Sequence, residues 1–337
     1  MTEMTVLNGV AIEELLTIPM AVEAVEQAYL EKSKGDAALW PMVFHEFDPG
    51  HADLDIKSGD LGGLGFYGLK VVSWFGANPG KGLPALYGTS LLFDLATGAP
   101  RALLNAGPIT DFRTGAAGAI GAKYLARPDA ETLLMAGTGA LAPYLIAATL
   151  YLLPQIKTVY VTNPHHPECS AAACEAITPQ VEKLLSGCGG CHAAIAAAPD
   201  LEKAVRHSDV ILTATPARKP FIKAEWVQPG THISCVGADM PGKQEVDSAL
   251  FASAKVFGDD TAQCLSVGEC EVPYKAGVFS GHICEIGGVI SGAEAGRTDA
   301  SDITIFDSTG IALQDIATAA ALLQAAQETG KGQTVTL

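Results

Sequence analysis

The spacing of apolar residues divides the chain into regions of different character. Residues 20–29 place apolar side chains at intervals of three and four, which predicts a helix after a short strand near the start of the chain. Between residues 40 and 112, short apolar runs are separated by glycine and proline; the run 89–94, for example, is followed by the turn 96–98 and another run. This pattern is typical of an antiparallel β-sheet.

A helix is predicted from Thr110 to about Leu125. After this helix, apolar strands alternate with further helices. The strands are predicted at 132–136, 158–162, 210–215, 232–236 and 254–258. This alternation indicates βαβ units and a parallel sheet, hence an α/β fold. The chain becomes helical again after Gly310. We therefore predict one domain at 113–309 and a second built from both ends of the chain, 1–112 and 310–337.

Charge narrows the range of partners. The chain has 21 Lys and Arg against 37 Asp and Glu, a formal net charge of −16. This charge repels nucleic acid and anionic membrane surfaces, so we expect neither as a partner. Residues 133–156 carry no charge and are long enough to span a membrane, but Gly137, Gly139 and Pro143 favour a strand, a turn and a helix. The start of the chain lacks the features of a signal peptide, and we expect a cytoplasmic protein.

Eight cysteines raise the question of metal or haem binding. The segment Cys188-Gly189-Gly190-Cys191-His192 matches the spacing used for c-type haem attachment. Haem attachment takes place in exported proteins, and a zinc site requires a second close pair of ligands. We therefore interpret the segment as a surface turn and expect no metal. Metal or haem absorbance from the purified protein would overturn this interpretation.

A glycine-rich turn gives the clearest chemical signal. The apolar run 133–136 leads into Gly137-Thr138-Gly139-Ala140-Leu141-Ala142, which opens a helix. The first glycine permits the tight turn, and the second lets the backbone approach a pyrophosphate. The next strand ends at Asn163, where enzymes that prefer NAD usually carry an acidic residue. Asn163 favours NADP, but no arginine is present to hold a 2′-phosphate, so NAD and NADP both stay open.

These motifs together resemble the ornithine cyclodeaminase/μ-crystallin family, which includes archaeal-type alanine dehydrogenases and ketimine or imine reductases. The matching segments, in the family's order, are 68–72, 82–84, 110–114, 137–140, 213–216, 236–243 and 306–310. The resemblance implies a Rossmann dinucleotide-binding domain plus an α+β substrate and dimerisation domain formed from both chain ends. It also implies a homodimer built through the β region, a small amino or imino acid substrate, and hydride transfer with NAD or NADP.

The resemblance also assigns roles to individual residues. Lys70 and Arg113 match the lysine and arginine that bind the substrate carboxylate, and Lys70, a point charge near the reacting centre, is also expected to be catalytic. Asp239 matches the family's catalytic aspartate, which would carry a proton to or from the substrate nitrogen. Thr309 is expected beside the substrate. The expected cofactor contacts are Arg113, Thr114, Gly137, Thr138, Gly139, Ala140, Leu141, Asn163, Thr213, Thr215, Val236, Gly237, Lys243 and Ser308.

Three departures from the family pattern change the expected substrate. The segment 40–46 offers no counterpart to the arginine that ornithine cyclodeaminases place upstream of the lysine. Ala85 stands where a threonine usually follows Gly-Leu-Pro, and Lys57 introduces a positive charge into a segment that usually lines the pocket. We hypothesise that Lys57, together with His45, replaces the missing arginine. These changes argue against ornithine and toward another amino or imino acid.

Three functions compete. The leading prediction is an NAD(P)-dependent oxidoreductase of a small α-amino or α-imino acid, similar to an alanine dehydrogenase or an imine reductase. The alternative is an ornithine or lysine cyclodeaminase, a lyase that uses NAD catalytically and releases ammonia. The third is a binding protein without turnover, which would have no need of a proton carrier such as Asp239. Net turnover of the nicotinamide cofactor separates the first two.

Overall fold

The computed structural model describes residues 2–337. The chain divides into two units, one of which combines both ends of the chain. We call residues 2–113 with 311–337 the terminal unit, and residues 114–310 the central unit.

Strands and helices cover most of the described residues. The strands are β1 (Glu3–Leu7), β2 (Ala37–Leu39), β3 (Val43–Asp48), β4 (Ala52–Leu61), β5 (Phe66–Phe75), β6 (Leu86–Asp94), β7 (Pro100–Asn105), β8 (Thr132–Ala136), β9 (Thr158–Thr162), β10 (Ala194–Ala197), β11 (Val210–Thr213), β12 (His232–Cys235), β13 (Lys255–Gly258), β14 (Cys284–Glu285), β15 (Thr304–Asp307) and β16 (Gln333–Thr336). The α-helices are α1 (Gly9–Leu15), α2 (Ile18–Lys34), α3 (Ala106–Leu125), α4 (Ala142–Leu152), α5 (Ser170–Leu185), α6 (Leu201–Arg206), α7 (Thr261–Val267), α8 (Glu271–Lys275), α9 (Ile286–Ser291) and α10 (Ala312–Thr329). Short 3₁₀ helices lie at Pro79–Lys81, Pro167–Cys169, Ala224–Trp226 and Ser248–Ala252.

The terminal unit contains an eight-stranded sheet in the order β16-β1-β7-β6-β5-β4-β2, with β3 paired to β4. Its neighbouring strands are antiparallel apart from β1 and β7, which are parallel. Strands β4 and β5 pair along their whole length, and Lys57 lies directly opposite Lys70. Directly opposite residues project from the same face of a sheet, so these two lysines share a face.

Helices α2 and α10 pack against each other, and α10 also packs on β4 and β5. Helix α2 begins after Thr17, whose hydroxyl accepts a hydrogen bond from the Met20 amide, and ends at Gly35 in the left-handed conformation. Helix α10 is rich in alanine, and every residue from Ala312 to Ala320 is buried. Because the helix is apolar on nearly all sides, an acidic residue within it requires a partner.

The central unit contains an eight-stranded parallel sheet in the order β10-β9-β8-β11-β12-β15-β13-β14. All four residues are buried in each of β11, β12 and β15, as expected when helices cover both faces of a parallel sheet. Strands β8, β9 and β10 follow one another toward one edge of the sheet. The next strand in sequence, β11, lies on the other side of β8, so the strand order reverses between β8 and β11. This strand order is that of the Rossmann fold, and ligands bind such sheets at the carboxyl ends of the strands that flank the reversal. The predicted α/β fold is confirmed.

The uncharged segment 133–156 forms most of β8, a glycine turn and α4. Among residues 2–337, no helix has both the length and the apolar character needed to cross a bilayer. Helix α3 begins at Ala106, four residues before the predicted start, because the Asn105 side chain accepts a hydrogen bond from the Gly107 amide and caps the helix there. Strand β16 was not predicted; all four of its residues are exposed, so it lacks the alternation that marks a half-buried strand.

Candidate active site

The terminal unit holds two buried cations and one buried carboxylate side by side. Lys70 on β5, Arg113 on α3 and Asp315 on α10 are 2%, 7% and 2% exposed. The Nζ atom of Lys70 lies 2.9 Å from Oδ1 of Asp315, and Nε of Arg113 lies 3.3 Å from the same oxygen. Two positive side chains therefore share one negative side chain.

Neighbouring polar groups orient both cations. Nζ of Lys70 also donates to Oγ1 of Thr110 at 3.4 Å. Nη1 of Arg113 donates to Oε1 of Gln314 at 2.9 Å, and Nε2 of Gln314 donates to the hydroxyl of Tyr29 at 2.7 Å. This chain of bonds restricts the plane of the guanidinium, which suits two-pronged binding of a carboxylate.

The cluster carries an excess of positive charge. Burial lowers the pKa of Lys70 to about 8; Asp315 opposes this effect, and the charges of Arg113 and Lys57 add to it. Burial raises the pKa of Asp315, but Lys70 and Arg113 outweigh burial and hold that pKa below its usual value. At neutral pH, Lys70, Arg113 and Asp315 therefore sum to one positive charge. A buried excess charge costs free energy unless a group of opposite charge neutralises it.

The structure does not bring His45 to Lys57. His45 lies on β3 directly opposite Leu54 of β4, three residues along the strand from Lys57. Side chains alternate between the two faces of a strand, so residues an odd number apart project to opposite faces. The His45 ring is exposed, with its edge against Phe47 at 5.0 Å between centroids. Within one subunit, His45 and Lys57 therefore project to opposite faces of the sheet, and a role for them at a substrate carboxylate stays a prediction.

The glycine turn of the central unit lies at the carboxyl end of β8, beside the reversal of strand order. Gly137 has φ of +129°, and a Cβ atom there would lie 2.6 Å from the carbonyl oxygen of Ala214, so glycine is required. A Cβ atom on Gly139 would meet nothing within 4 Å. Gly139 thus leaves open space above the turn just before α4, which fits the approach of a pyrophosphate to the backbone and helix N-terminus.

Asn163 follows the neighbouring strand, β9, and is hydrogen-bonded to the glycine turn. Its Nδ2 atom donates to Oγ1 of Thr138 at 3.0 Å. Its Oδ1 atom accepts from the amides of His165 and His166 at 3.1 and 2.9 Å. The side chain is thus committed to the loop that would face a cofactor ribose, and it carries no charge to repel a 2′-phosphate.

Asp239 lies in the loop after β12, at the carboxyl edge of the sheet. Its side chain is 50% exposed and forms an ion pair with Lys243, which is 15% exposed. Gly242 has φ of +76°, and its amide donates to Oε2 of Glu271 at 2.6 Å, so the loop returns sharply after Asp239. The structure therefore brings together the predicted proton carrier and Lys243, which was expected to contact the cofactor.

Thr213 and Thr215, predicted cofactor contacts at the end of β11, are bonded to a buried glutamate. Both hydroxyls donate to the carboxylate of Glu245 at 2.7 Å. The amide of Gly237 donates to the same group at 3.1 Å, and the amide of Val236 donates to the carbonyl of Thr213 at 3.0 Å. A single carboxylate thus joins the ends of β11 and β12.

Ser308 and Thr309 follow β15 and are organised by a second buried carboxylate. Oγ1 of Thr309 donates to Asp259 at 2.8 Å, and the Gly310 amide donates to the other oxygen at 3.0 Å. Ser308 donates to Asp259 at 3.4 Å. Thr309 is 1% exposed, so in this structure its hydroxyl stabilises the loop through the bond to Asp259. Thr114, another predicted cofactor contact, lies on α3 and is 6% exposed.

Among residues 2–337, no three His, Cys, Asp or Glu side chains are grouped in a way that could hold a metal ion. Cys188 and Cys191 lie in the loop after α5, are partly exposed, and are free thiols.

Comparison with known proteins identifies the family. The sequence model of the ornithine cyclodeaminase/mu-crystallin family matches residues 2–330. The chain belongs to this family. The sequence-based identification is confirmed.

Relatives of this family with high coverage include dehydrogenases and reductases. The chain is 36% identical over 321 residues to an alanine dehydrogenase of Archaeoglobus fulgidus, which covers 94% of this chain and 93% of that protein. A solved archaeal alanine dehydrogenase dimer with bound NAD is 36% identical, with a TM-score of 0.86 and 99% coverage of both chains. The iminosuccinate reductase of Paracoccus denitrificans in complex with NAD⁺ is 32% identical, with a TM-score of 0.88 and coverage of 99% of this chain and 100% of that chain.

The family's motifs identify Lys70 and Arg113 but not the acidic residue that joins them. Asp315 is 245 positions from Lys70 in sequence. The one local signal for it is an acidic residue inside an otherwise apolar, alanine-rich helix. Glu245 follows the family segment 236–243 by two residues, and Asp259 follows a short buried strand. Neither position carries a pattern that would distinguish it from an exposed turn residue.

Proposed function

We propose that the chain is an NAD-dependent oxidoreductase of a small α-amino or α-imino acid. The observation that carries this proposal is the buried Lys70–Arg113–Asp315 cluster, in which two cations share one carboxylate. The chain as a whole is strongly acidic, at −16, so this local positive charge favours one anion at one place. A substrate carboxylate would supply the missing negative charge and accept two-pronged hydrogen bonds from Arg113.

The remaining residues take roles consistent with this chemistry. Bound NAD(H) would exchange a hydride with the substrate carbon that carries nitrogen. Asp239 would carry the proton that moves to or from the substrate nitrogen or a water molecule, and its ion pair with Lys243 would orient the carboxylate. Lys57, on the same face of the sheet as Lys70, would add a second positive charge for a substrate with another acidic group.

The cofactor assignment rests on the central unit. The open space above Gly139 and the strained φ of Gly137 support pyrophosphate binding at the turn. The relatives with bound NAD or NAD⁺ favour NAD. Asn163 removes the acidic residue that would exclude NADP, so we propose that NADP binds as well.

Each part of the chain would then have its own task. We propose residues 113–309 as the cofactor-binding domain, and residues 1–112 with 310–337 as the substrate-binding and dimerisation domain.

Exposed apolar residues on and beside β3 support a homodimer through the sheet of the terminal unit. They are Trp40, Met42, Val43, Phe44 and Phe47. Light scattering should give twice the 34.8 kDa chain mass, and Phe44→Glu should shift the protein toward monomer. The free thiols support a reducing compartment such as the cytoplasm.

The test begins with binding. Wild-type protein should bind NADH in calorimetry, and Gly139→Ala should weaken binding by about tenfold or more, because its Cβ enters the space reserved for the pyrophosphate. The melting temperature of Gly139→Ala should be unchanged, since that Cβ meets no protein atom. Wild-type protein that binds neither NADH nor NADPH would refute the proposal.

Turnover then distinguishes the two enzyme classes. Amino acids with NAD, and 2-oxo acids with NADH plus ammonia or methylamine, should change absorbance at the nicotinamide band. Ammonia release from ornithine or lysine without a net change in NADH would instead assign a cyclodeaminase.

A further inference from the structure

Glu245 is fully buried, and each of its oxygens accepts two hydrogen bonds. Oε1 accepts from the amide and the hydroxyl of Thr215, both at 2.7 Å. Oε2 accepts from the hydroxyl of Thr213 at 2.7 Å and from the amide of Gly237 at 3.1 Å. The carboxylate is also tightly enclosed, because a Cβ atom on Gly237 would lie 2.6 Å from it.

A second glutamate, Glu269, holds the segment that carries Glu245. Its Oε1 atom accepts from the amides of Glu245 and Val246 at 2.8 and 2.6 Å, and its Oε2 atom has a longer contact of 3.0 Å with the Glu245 amide. Both glutamates are buried, yet their hydrogen bonds differ in kind. The two oxygens of Glu245 accept from two different amides, whereas the amide that reaches Oε2 of Glu269 is also bonded to Oε1 of the same carboxylate.

This difference decides which glutamate is ionised. Burial raises the pKa of Glu245 to about 7, against the hydrogen bonds from Thr213, Thr215 and Gly237, which lower it. Burial and then the charge of Glu245 raise the pKa of Glu269 well above its usual value. At neutral pH, the proton therefore stays on Glu269, and Glu245 is the glutamate that can ionise.

We propose that Glu245 is a positioning residue for the nicotinamide half of the cofactor site, since its carboxylate fixes the backbone after β11 to the backbone after β12. The inference rests on the proposed function. In a Rossmann sheet, one mononucleotide lies over β8, β9 and β10, and the other lies over β11, β12 and β15. The loops that Glu245 joins belong to the second half.

An amide cannot replace this carboxylate. A glutamine at 245 has one oxygen and one NH₂ group, and it can adopt two orientations. Threonine hydroxyls can rotate to become acceptors, but the amides of Thr215 and Gly237 cannot. Each of these amides is bonded to a different oxygen, so either orientation turns an NH₂ group toward one backbone N–H. Glu245→Gln must therefore displace one of the two loops.

Glu269 provides the matched control. Glu269→Gln can place its oxygen at Oε1 and keep both short backbone bonds, and its NH₂ group takes the place of the less committed oxygen. Both substitutions are isosteric, both lie in one buried cluster, and both remove an acidic group. Only Glu245→Gln is expected to disturb the cofactor site.

The experiment compares NADH with ADP, which lacks the nicotinamide half. We expect Glu245→Gln to weaken NADH binding by about tenfold or more, as for one lost buried hydrogen bond, while ADP affinity stays within about threefold of wild type. Glu269→Gln should leave both affinities within about threefold. A ratio of NADH to ADP affinity in Glu245→Gln equal to that in Glu269→Gln would overturn the inference. Equal weakening of NADH and ADP would also overturn it, since that result indicates general damage.

A wild-type measurement decides the matter if Glu245→Gln does not fold. Glu269 and the thiol of Cys235 interact with Glu245, and Asp307 interacts with both of them; burial raises the pKa of all three groups. Protonation of Glu245 below pH ~7 should therefore lower NADH affinity relative to ADP affinity in wild type and in Glu269→Gln. A flat ratio between pH 6 and pH 8 would overturn the inference. Wild-type protein that binds no NADH at any pH would instead refute the proposed function.

Discussion

Replacing Asp315 with asparagine tests whether one carboxylate holds the buried cations of the terminal unit. The substitution keeps the shape of the side chain and removes its charge. Lys70 and Arg113 would then face each other across a neutral group, at 2.9 and 3.3 Å from the position of Oδ1. Lys70 can relieve the repulsion by losing its proton, but Arg113 cannot, because a guanidinium stays charged.

The expected loss of stability is large. Removing one partner of a buried ion pair costs about 3–5 kcal/mol, since it leaves an uncompensated buried charge. The loss should depend on pH. Asp315 raises the pKa of Lys70 in the folded protein, so the part of its contribution that acts through Lys70 is present at low pH and is lost as pH rises through the folded pKa of about 8, whereas the part that acts through Arg113 remains. The free energy of unfolding should therefore drop more at pH 6 than at pH 9.

Denaturant unfolding of four proteins measures this effect: wild type, Asp315→Asn, Lys70→Met and the double variant. The double-mutant cycle should give a coupling energy of about 2 kcal/mol at pH 6, because Asp315→Asn costs less once Lys70 has gone. The control is Glu14→Gln, which breaks an ion pair with Lys331 whose side chains are 56% and 39% exposed. That pair should contribute under ~1 kcal/mol.

Two results would refute this reasoning. A loss for Asp315→Asn no larger than that for Glu14→Gln would mean that the buried carboxylate does not balance the cations. A loss that grows between pH 6 and pH 9 would mean that Lys70 does not titrate as the cluster requires.

Three further predictions follow from single side chains. In the reductive direction, kcat/KM should fall as pH rises through about 8, where Lys70 loses its charge, and Lys70→Arg should move this fall to higher pH. Asn163→Asp should lower NADP affinity by about tenfold and change NAD affinity little, because the carboxylate still accepts from the amides of His165 and His166 but repels a 2′-phosphate. Glu269→Gln should become more stable relative to wild type as pH rises above 4.5, by up to ~1.4 kcal/mol per pH unit. The reason is that Glu269 of the unfolded wild-type chain releases its proton above this pH, whereas Glu269 of the folded protein retains it. Melting temperatures at pH 5 and pH 7 measure this gain.

Sequence patterns predicted the fold wherever burial is periodic or continuous. The parallel strands β8, β9, β11, β12 and β13 are apolar runs, so they could be located to within one or two residues, whereas β14 and β15 were not predicted. Strand β10 and strand β16 could not, because alanines and exposed polar residues give neither pattern. The start of α3 was also missed, since it depends on the Asn105 cap and not on the apolar spacing.

The candidate site was predicted unevenly, for a related reason. Residues that the proposed ligands would contact directly, such as Lys70, Arg113 and Gly137, belong to motifs with fixed spacing. The carboxylates that hold them, Asp315 and Glu245, are selected by tertiary contacts between distant segments. A sequence gives no local sign of such contacts, because the same residue types are common in solvated turns.

The two buried charge clusters are opposite solutions to one problem. In the terminal unit, two cations share the carboxylate of Asp315, and the proposed substrate carboxylate would add a further negative charge. In the central unit, the negative charge of Glu245 is stabilised by four hydrogen bonds from backbone and hydroxyl donors of the same chain. Under the proposals above, the first cluster would gain charge balance from the substrate carboxylate, whereas the second is held by donors of the chain alone and would keep the cofactor loops in place.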